Sequence, residues 1–235
     1  MDANSVFSNS PAILPVIHLD GSHEQALRNA ETAFWAGADG VFLIGHGLRY
    51  QEVLALHEVL STRMPKKWIG VNLLDISAVG AVSVLPWRVH GLWVDDAGVH
   101  PGRTFQAEAL ALARDRSRWK GELYGGVAFK TDQPYVSDNN IAAALAGVAT
   151  SFVDVVTTSG PATGVPPTIE KIQAMKDVLA GRALLGCASG LTPENVKQFR
   201  GMFDRILVAT GVSLPDDFHN LNSELLRRFI GEARE

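Results

Sequence analysis

His18 and Asp20 stand two residues apart at the end of the apolar run PVIHLD, Asp95 and Asp96 close the run GLWVDD, and Lys130 closes ELYGGVAFK. A carboxylate, an imidazole and an ammonium group in one place suit proton transfer, provided the environment sets their pKa values apart. Asp20 paired with His18 or with Asp95 is the simplest acid/base couple. Lys130 would contact an anionic substrate or, if desolvated, form a Schiff base. Each has a structural alternative: His18 as an interior histidine with its hydrogen bonds met, Lys130 as a rim lysine paired with Asp132 or Asp95. His46, Asn72, Thr158, Ser159 and Thr163 occupy comparable positions and complete the candidate substrate lining.

A second chemistry is carried by backbone. LLGCASGLTPENVKQF, residues 184–199, begins as a buried strand and ends with the signals of a helix start: Thr192 as N-cap, Pro193 in the first helical position and Glu194 in the first turn. The amides of Ser189 and Gly190, with those of Thr210 and Gly211 in VATGVS, would form a nest of donors for a phosphate dianion, helped by the positive end of the short helix. The alternative is that small residues only let the chain turn. Cys187, in the same stretch, is either an activated thiol or a small buried residue. HGLWVDDAGVH brings His90, Asp95, Asp96 and His100 close in sequence, but His90 precedes its strand and belongs to the opposite rim, about 15–20 Å away. Neither a metal nor a cofactor is expected.

These residues need elements that place them together. Short β-branched or apolar runs at 15–20, 40–45, 68–74, 91–96, 122–130, 152–159, 183–188 and 205–210 alternate with helical periodicity at 23–36, 49–63, 76–84, 103–116, 138–150, 168–180, 192–199 and 221–233. Runs such as GVFLIG are nearly all apolar, as in a parallel sheet covered on both faces. Eight βα units in 235 residues predict a single (β/α)8 TIM barrel, an α/β fold, with residues 1–12 an N-terminal extension. An open doubly wound sheet is the runner-up, but HLDGSHEQ, after the first strand, lacks its glycine-rich fingerprint. In a barrel every candidate above falls at a C-terminal strand end, where barrel chemistry gathers. Gly125 and Gly126 would leave room inside for a ligand.

A net charge of −4 with no basic stripe argues against nucleic acid. The N-terminus does not read as a signal peptide, and no stretch reaches the roughly 18 uncharged apolar residues of a membrane span. One cysteine excludes an internal disulfide and suggests the cytoplasm. Phe34, Trp35 and Trp119 are expected to pack against the barrel; exposure of Trp35 or Trp119 would point to a homo-oligomer, and since symmetric oligomers are common one is expected.

At DVVTTSGPATGVPPTIEKIQAMKDV, LLGCASGLTPENV and FDRILVATGVS the chain resembles the BtpA/SgcQ family, whose members read Asp-x-Val-Ile-x-Thr-Gly-x-Ala-Thr-Gly-x-Pro, then Gly-Ser-Gly-Val-Thr-x-Glu-Asn, then Ile-Val-Gly-Thr-Ser. The match continues more faintly through PVIHLDGS, GADGVFLIGHG and IGVNLL. The resemblance implies a phosphate-binding-type barrel, distantly similar to phosphoribosylanthranilate isomerase. One branch of the family is linked to photosystem I biogenesis and another to carbohydrate operons. The chain departs from the pattern where Asp20-Gly21-Ser22 replaces a Pro-rich turn, Ile44-Gly45 a Glu-Asn pair and Val94 an arginine.

Two functions fit. The first is an enzyme acting on a small phosphorylated metabolite, a sugar phosphate or ribosyl phosphate, with isomerase, epimerase or lyase chemistry. The second is a non-catalytic binding or assembly factor that retains the barrel and the anion site.

Overall fold

The computed structural model describes residues 7–130 and 135–234. Eight parallel strands close into a barrel in chain order: β1 (Ala12–His18), β2 (Gly40–Ile44), β3 (Trp68–Asn72), β4 (Gly91–Val94), β5 (Glu122–Gly126), β6 (Val155–Thr158), β7 (Leu184–Cys187) and β8 (Arg205–Val208). The ring closes where Ala12 of β1 pairs with Arg205 of β8. Helices α1 (His23–Trp35), α2 (Tyr50–Arg63), α3 (Ala78–Val84), α4 (Phe105–Arg116), α5 (Asn139–Ala149) and α6 (Ile169–Leu179) follow the first six strands. After β8 come a hairpin, β9 (Ser213–Leu214) with β10 (Asp217–Leu221), and then α7 (Ser223–Arg234). Side-chain oxygens of Ser22, Ser77, Asp138 and Thr168 each accept an amide of the first helical turn, fixing where α1, α3, α5 and α6 begin.

Alternation along the strands builds two cores. Ile13, Ile17, Leu43, Val71, Leu92, Leu123 and Val156 face the helices, while Leu14, Val16, Phe42, Ile44, Trp68, Trp93, Tyr124 and Leu207 face into the barrel. The floor of the barrel, at the N-terminal ends of the strands, is filled by rings. Phe42 lies edge-on to Trp68 and Tyr124, with centroids 5.1 and 5.0 Å apart. Glycine makes the space for them: a Cβ on Gly70 would sit 2.5 Å from the Phe42 ring, and one on Gly91 2.5 Å from Trp68. Beside the rings Arg205 and Glu122 form a buried ion pair at 3.3 Å, Tyr124 Oη donates to Glu122 at 3.0 Å, and Arg205 lies 4.8 Å over the Phe7 ring.

Several elements differ from the sequence expectation. The helix expected at 192–199 is one 3₁₀ turn, Val196–Phe199. Asn195 folds back on its own loop, accepting from the Thr192 amide at 2.8 Å and donating to the Gly190 carbonyl at 2.9 Å, so its side chain competes with helical pairing. The segment after β7 therefore supplies no helix-end charge to its loop. β5 stops at Gly126 because Ala128 has φ +45°, which no extended strand accommodates. Gly125 faces the outer layer, where its Cβ would meet Val153 and Ala97, and a Cβ on Gly126 would meet the Asp95 carbonyl at 1.9 Å; these glycines bring strands and helices close and do not open space for a ligand. The β9–β10 hairpin has no counterpart in the sequence expectation. Trp119 is buried and donates to Val89 O at 2.7 Å, as packing predicts, whereas Trp35 is 74% exposed. Among the described residues no helix is long and apolar enough to cross a membrane.

Candidate functional site

The C-terminal mouth of the barrel holds a cavity of about 570 Å³. Its floor is Val16, Ile44, Trp93 and Leu207, inward-facing residues of β1, β2, β4 and β8. Strand alternation carries Trp93 to that floor and turns Val94 outward, so neither Val94 nor Asp20-Gly21-Ser22 lines the cavity, while Ile44 does.

Of the residues singled out for chemistry, His18, His46, Asp95, Lys130, Thr163, Ser189, Gly190, Thr210 and Gly211 all line this cavity. Asp20 does not. β1 ends at His18, the chain turns away, and Asp20 is exposed with its carboxylate accepting the Ser22 amide at 2.7 Å, so its place is the start of α1 and not an acid/base pair. Asn72 lies one layer back, donating to Asp95 at 3.2 Å. Thr158 and Ser159 are likewise buried behind the wall: Thr158 Oγ1 donates to Ala128 O at 3.4 Å, and Ser159 Oγ accepts the Lys130 amide at 2.8 Å.

The loops after β7 and β8 meet. None of the turn, loop or cap hydrogen bonds among the described residues uses the amides of Ser189, Gly190, Thr210 or Gly211. The glycines, however, answer to packing. Gly190 has φ +80°, and its Cβ would lie 2.2 Å from Pro166 N; the Cβ of Gly211 would lie 2.4 Å from Leu191 O. Only residues without a side chain let the loops after β6, β7 and β8 stack this closely.

Electrostatics divides the mouth into two walls. On the β1 and β2 side, His18 and His46 stack with centroids 5.3 Å apart and 14° between planes. Burial pushes the His18 pKa down to about 4, and the charges of His46, His219 and Lys130 act the same way, so His18 is neutral at pH 7. Its Nδ1 is buried with no hydrogen-bond partner among the described residues. On the opposite side, burial raises the Asp95 pKa, while Lys130, the Asn72 hydrogen bond and His46 oppose the rise. Lys130 Nζ lies 3.4 Å from Thr163 Oγ1; among the described residues it makes no ion pair with Asp95, and Asp132 lies outside those residues. Cys187 is fully buried, which pushes its thiol up to about 12, and its Sγ lies 3.3 Å from Ser189 O: it is the small packing residue and not a nucleophile. No group of three or more His, Cys, Asp or Glu side chains among the described residues is arranged to hold a metal ion.

Two contributors were missed. Phe218, on β10, lines the cavity beside His18; the turn residues Leu214-Pro215-Asp216-Asp217 between short apolar segments were its available signal. Lys171, only 2% exposed, donates from Nζ to Ala128 O at 2.7 Å and Ser159 O at 2.9 Å, holding the loop that carries Lys130 against the loop after β6. A lysine beside the apolar stripe of a helix gives no sequence signal of this kind.

Fold and cavity together define a closed (β/α)8 barrel with its pocket at the C-terminal mouth. No protein-family model matches the sequence, and neither does any curated protein. Solved structures do. The chain is similar to (S)-3-O-geranylgeranylglyceryl phosphate synthase from Thermoplasma acidophilum in complex with its substrate sn-glycerol-1-phosphate, at TM-score 0.67 and 15% identity over 96% of this chain and 94% of that one. KGPDC from Streptococcus mutans gives 0.64 and 14% over 96% and 98%, and phosphoribosyl anthranilate isomerase from Thermotoga maritima 0.62 and 15% over 94% and 98%. At such identities the likeness is one of fold.

Proposed function

We propose that this barrel binds a small phosphorylated metabolite, a sugar phosphate or ribosyl phosphate, and acts on it as an enzyme of isomerase, epimerase or lyase type. The observation that carries the proposal is the meeting of the β7 and β8 loops at one cavity that also receives Asp95, Lys130 and His18. The amides of Ser189, Gly190, Thr210 and Gly211 hold the phosphate as a preorganised set of dipoles. The anchored phosphate then orients the reacting end between the walls. Asp95, its pKa raised by burial, is the proton-transfer group; Lys130 stabilises negative charge that develops beside it; and neutral His18 presents a nitrogen for hydrogen bonding. The synthase among the similar solved structures holds a phosphorylated substrate, sn-glycerol-1-phosphate, which supports the same substrate class here.

At the family level, SGPATGVPP followed by SGLTPENV supports membership of the BtpA/SgcQ group. A homo-oligomer in the cytoplasm completes the reading, on the exposure of Trp35 and a lone buried thiol. The displacement of Asp20 from the cavity, which leaves the mouth one carboxylate short of the expected set, favours the second reading, a binding factor without turnover.

Thermal-shift measurements against sugar phosphates, nucleotides and inorganic phosphate test the proposal. A rise in midpoint that depends on the phosphate group, and that Lys130→Ala diminishes, is expected. Silence across the panel from a folded protein overturns it, and binding without conversion of any compound selects the non-catalytic alternative.

A further inference from the structure

The β9–β10 hairpin is fastened to the barrel at several points. Gln25 and Asn29 of α1, 1% and 2% exposed, donate side-chain N–H groups to the His219 carbonyl, and Asn29 Oδ1 accepts the Leu221 amide at 2.8 Å. His219 Nδ1 lies 3.0 Å from the His18 carbonyl, tying β10 to the end of β1. A surface hairpin of this size is marginal without such support. Buried amide side chains bonded to its backbone hold it in one place.

What this rigid arm presents is Phe218. The ring is 49% exposed and lines the cavity, edge-on to His18 at 5.3 Å and 77°. It extends a row of rings along one wall: His46 to His18 at 5.3 Å, His18 to Phe218 at 5.3 Å, Phe218 to His219 at 4.1 Å. Facing the row across the mouth stand Asp95, Lys130 and Thr163, from the ends of β4, β5 and the β6 loop, and between the walls lie the anion loops. A half-exposed phenyl ring, immobilised beside a neutral imidazole and over an apolar floor, is costly to leave in water. Its geometry suits a flat partner, because aromatic rings prefer stacked or edge-to-face neighbours.

We infer that the ligand of this mouth carries, besides its phosphate, a planar aromatic or heteroaromatic ring that rests against Phe218 and His18 with its polar edge toward Asp95 and Lys130. The inference rests on the phosphate reading above and narrows it: a ribosyl or other phosphate bearing such a ring fits both walls, whereas a simple sugar phosphate leaves the ring wall uncovered.

Calorimetric titration of the whole protein with two matched pairs separates the possibilities. Phenyl phosphate is compared with cyclohexyl phosphate, and 2-phenylethyl phosphate with 2-cyclohexylethyl phosphate, so that reach does not decide the result; inorganic phosphate and ribose 5-phosphate serve as references. In at least one pair the aryl ester should bind about three- to tenfold more tightly than its saturated counterpart. Phe218→Leu, which keeps apolar area and removes the π face, should bring that ratio to about one. Equal binding within both pairs, or a ratio unchanged by Phe218→Leu, overturns the ring inference and leaves the phosphate site standing. If no phosphate compound binds, the phosphate reading itself has failed and the ring inference fails with it.

Discussion

The floor and the mouth of this barrel are lined by the same kinds of residue and use them in opposite ways. At the floor, Arg205 and Glu122 face each other at 3.3 Å, Tyr124 adds a hydrogen bond, and Phe42, Trp68 and Tyr124 fill the remaining volume against glycines. At the mouth, Lys130 and Asp95 form no mutual ion pair, His18 Nδ1 is buried with no partner among the described residues, and about 570 Å³ is left open beside a half-exposed phenylalanine. Charges and rings that satisfy one another make a foundation. On the proposed function, the charges and rings of the mouth are left for a guest, and the protein carries the cost of their incomplete pairing. Substitutions at the floor should therefore damage stability and spare the pocket's chemistry, and substitutions at the mouth should do the reverse.

The sharpest break comes from Glu122→Ala, which takes the carboxylate away from the buried Arg205 guanidinium. A loss of about 3–5 kcal/mol in denaturant unfolding is expected, with ligand response kept by the protein that remains folded. Next is Gly70→Ala, whose methyl group would lie 2.5 Å from Phe42; overpacking of this kind costs about 1–3 kcal/mol. A loss too small to measure would mean that the aromatic floor is looser than its contacts suggest.

A smaller effect arises at the mouth and depends on pH. With the His18 pKa lowered from 6.5 to about 4, the unfolded chain binds a proton between those values that the folded protein does not. Stability from this source is fully present above pH 6.5 and falls as pH drops toward 4. His18→Gln should flatten the loss between pH 7 and pH 4.5 by about 1–2 kcal/mol, a figure reduced for the partial exposure of the ring. His57, buried in α2 and also held at about 4, leaves a residual slope. Smallest in stability is Lys130→Ala, expected to change unfolding by less than about 0.5 kcal/mol. Binding of a phosphate ester should nevertheless weaken about tenfold through the loss of a charge-assisted contact. An outcome in which Lys130→Ala destabilises the fold and leaves binding intact would erase the distinction between the two regions.

The floor and the mouth also differ in how far the sequence makes them legible. Strand positions are legible because covered parallel strands are short apolar runs between helical stretches, and each of the eight lies within a few residues of its expected place. Placing the candidate chemistry at strand ends brings nine of the named side chains and loops to one cavity, since in a barrel all strand ends meet. Asp20 fails because period-two alternation holds only while the strand lasts, and β1 ends at His18. The helix expected at 192–199 fails because the Asn195 side chain bonds to its own loop. Gly125 and Gly126 suggest room for a ligand in the sequence, and in the structure they bring neighbouring strands and helices close.

Chain order, strand spacing and the small residues after β7 and β8 are local properties, and local energetics is enough to write a closed eightfold barrel into one sequence. Which wall a side chain faces, whether Lys171 is buried among carbonyls, and that Phe218 comes back from beyond β8 to lie against His18 depend on contacts between residues up to two hundred positions apart. Those contacts exist only once the ring has closed, because burial and distance, and not residue type, decide what an imidazole, an ammonium or a phenyl ring can do.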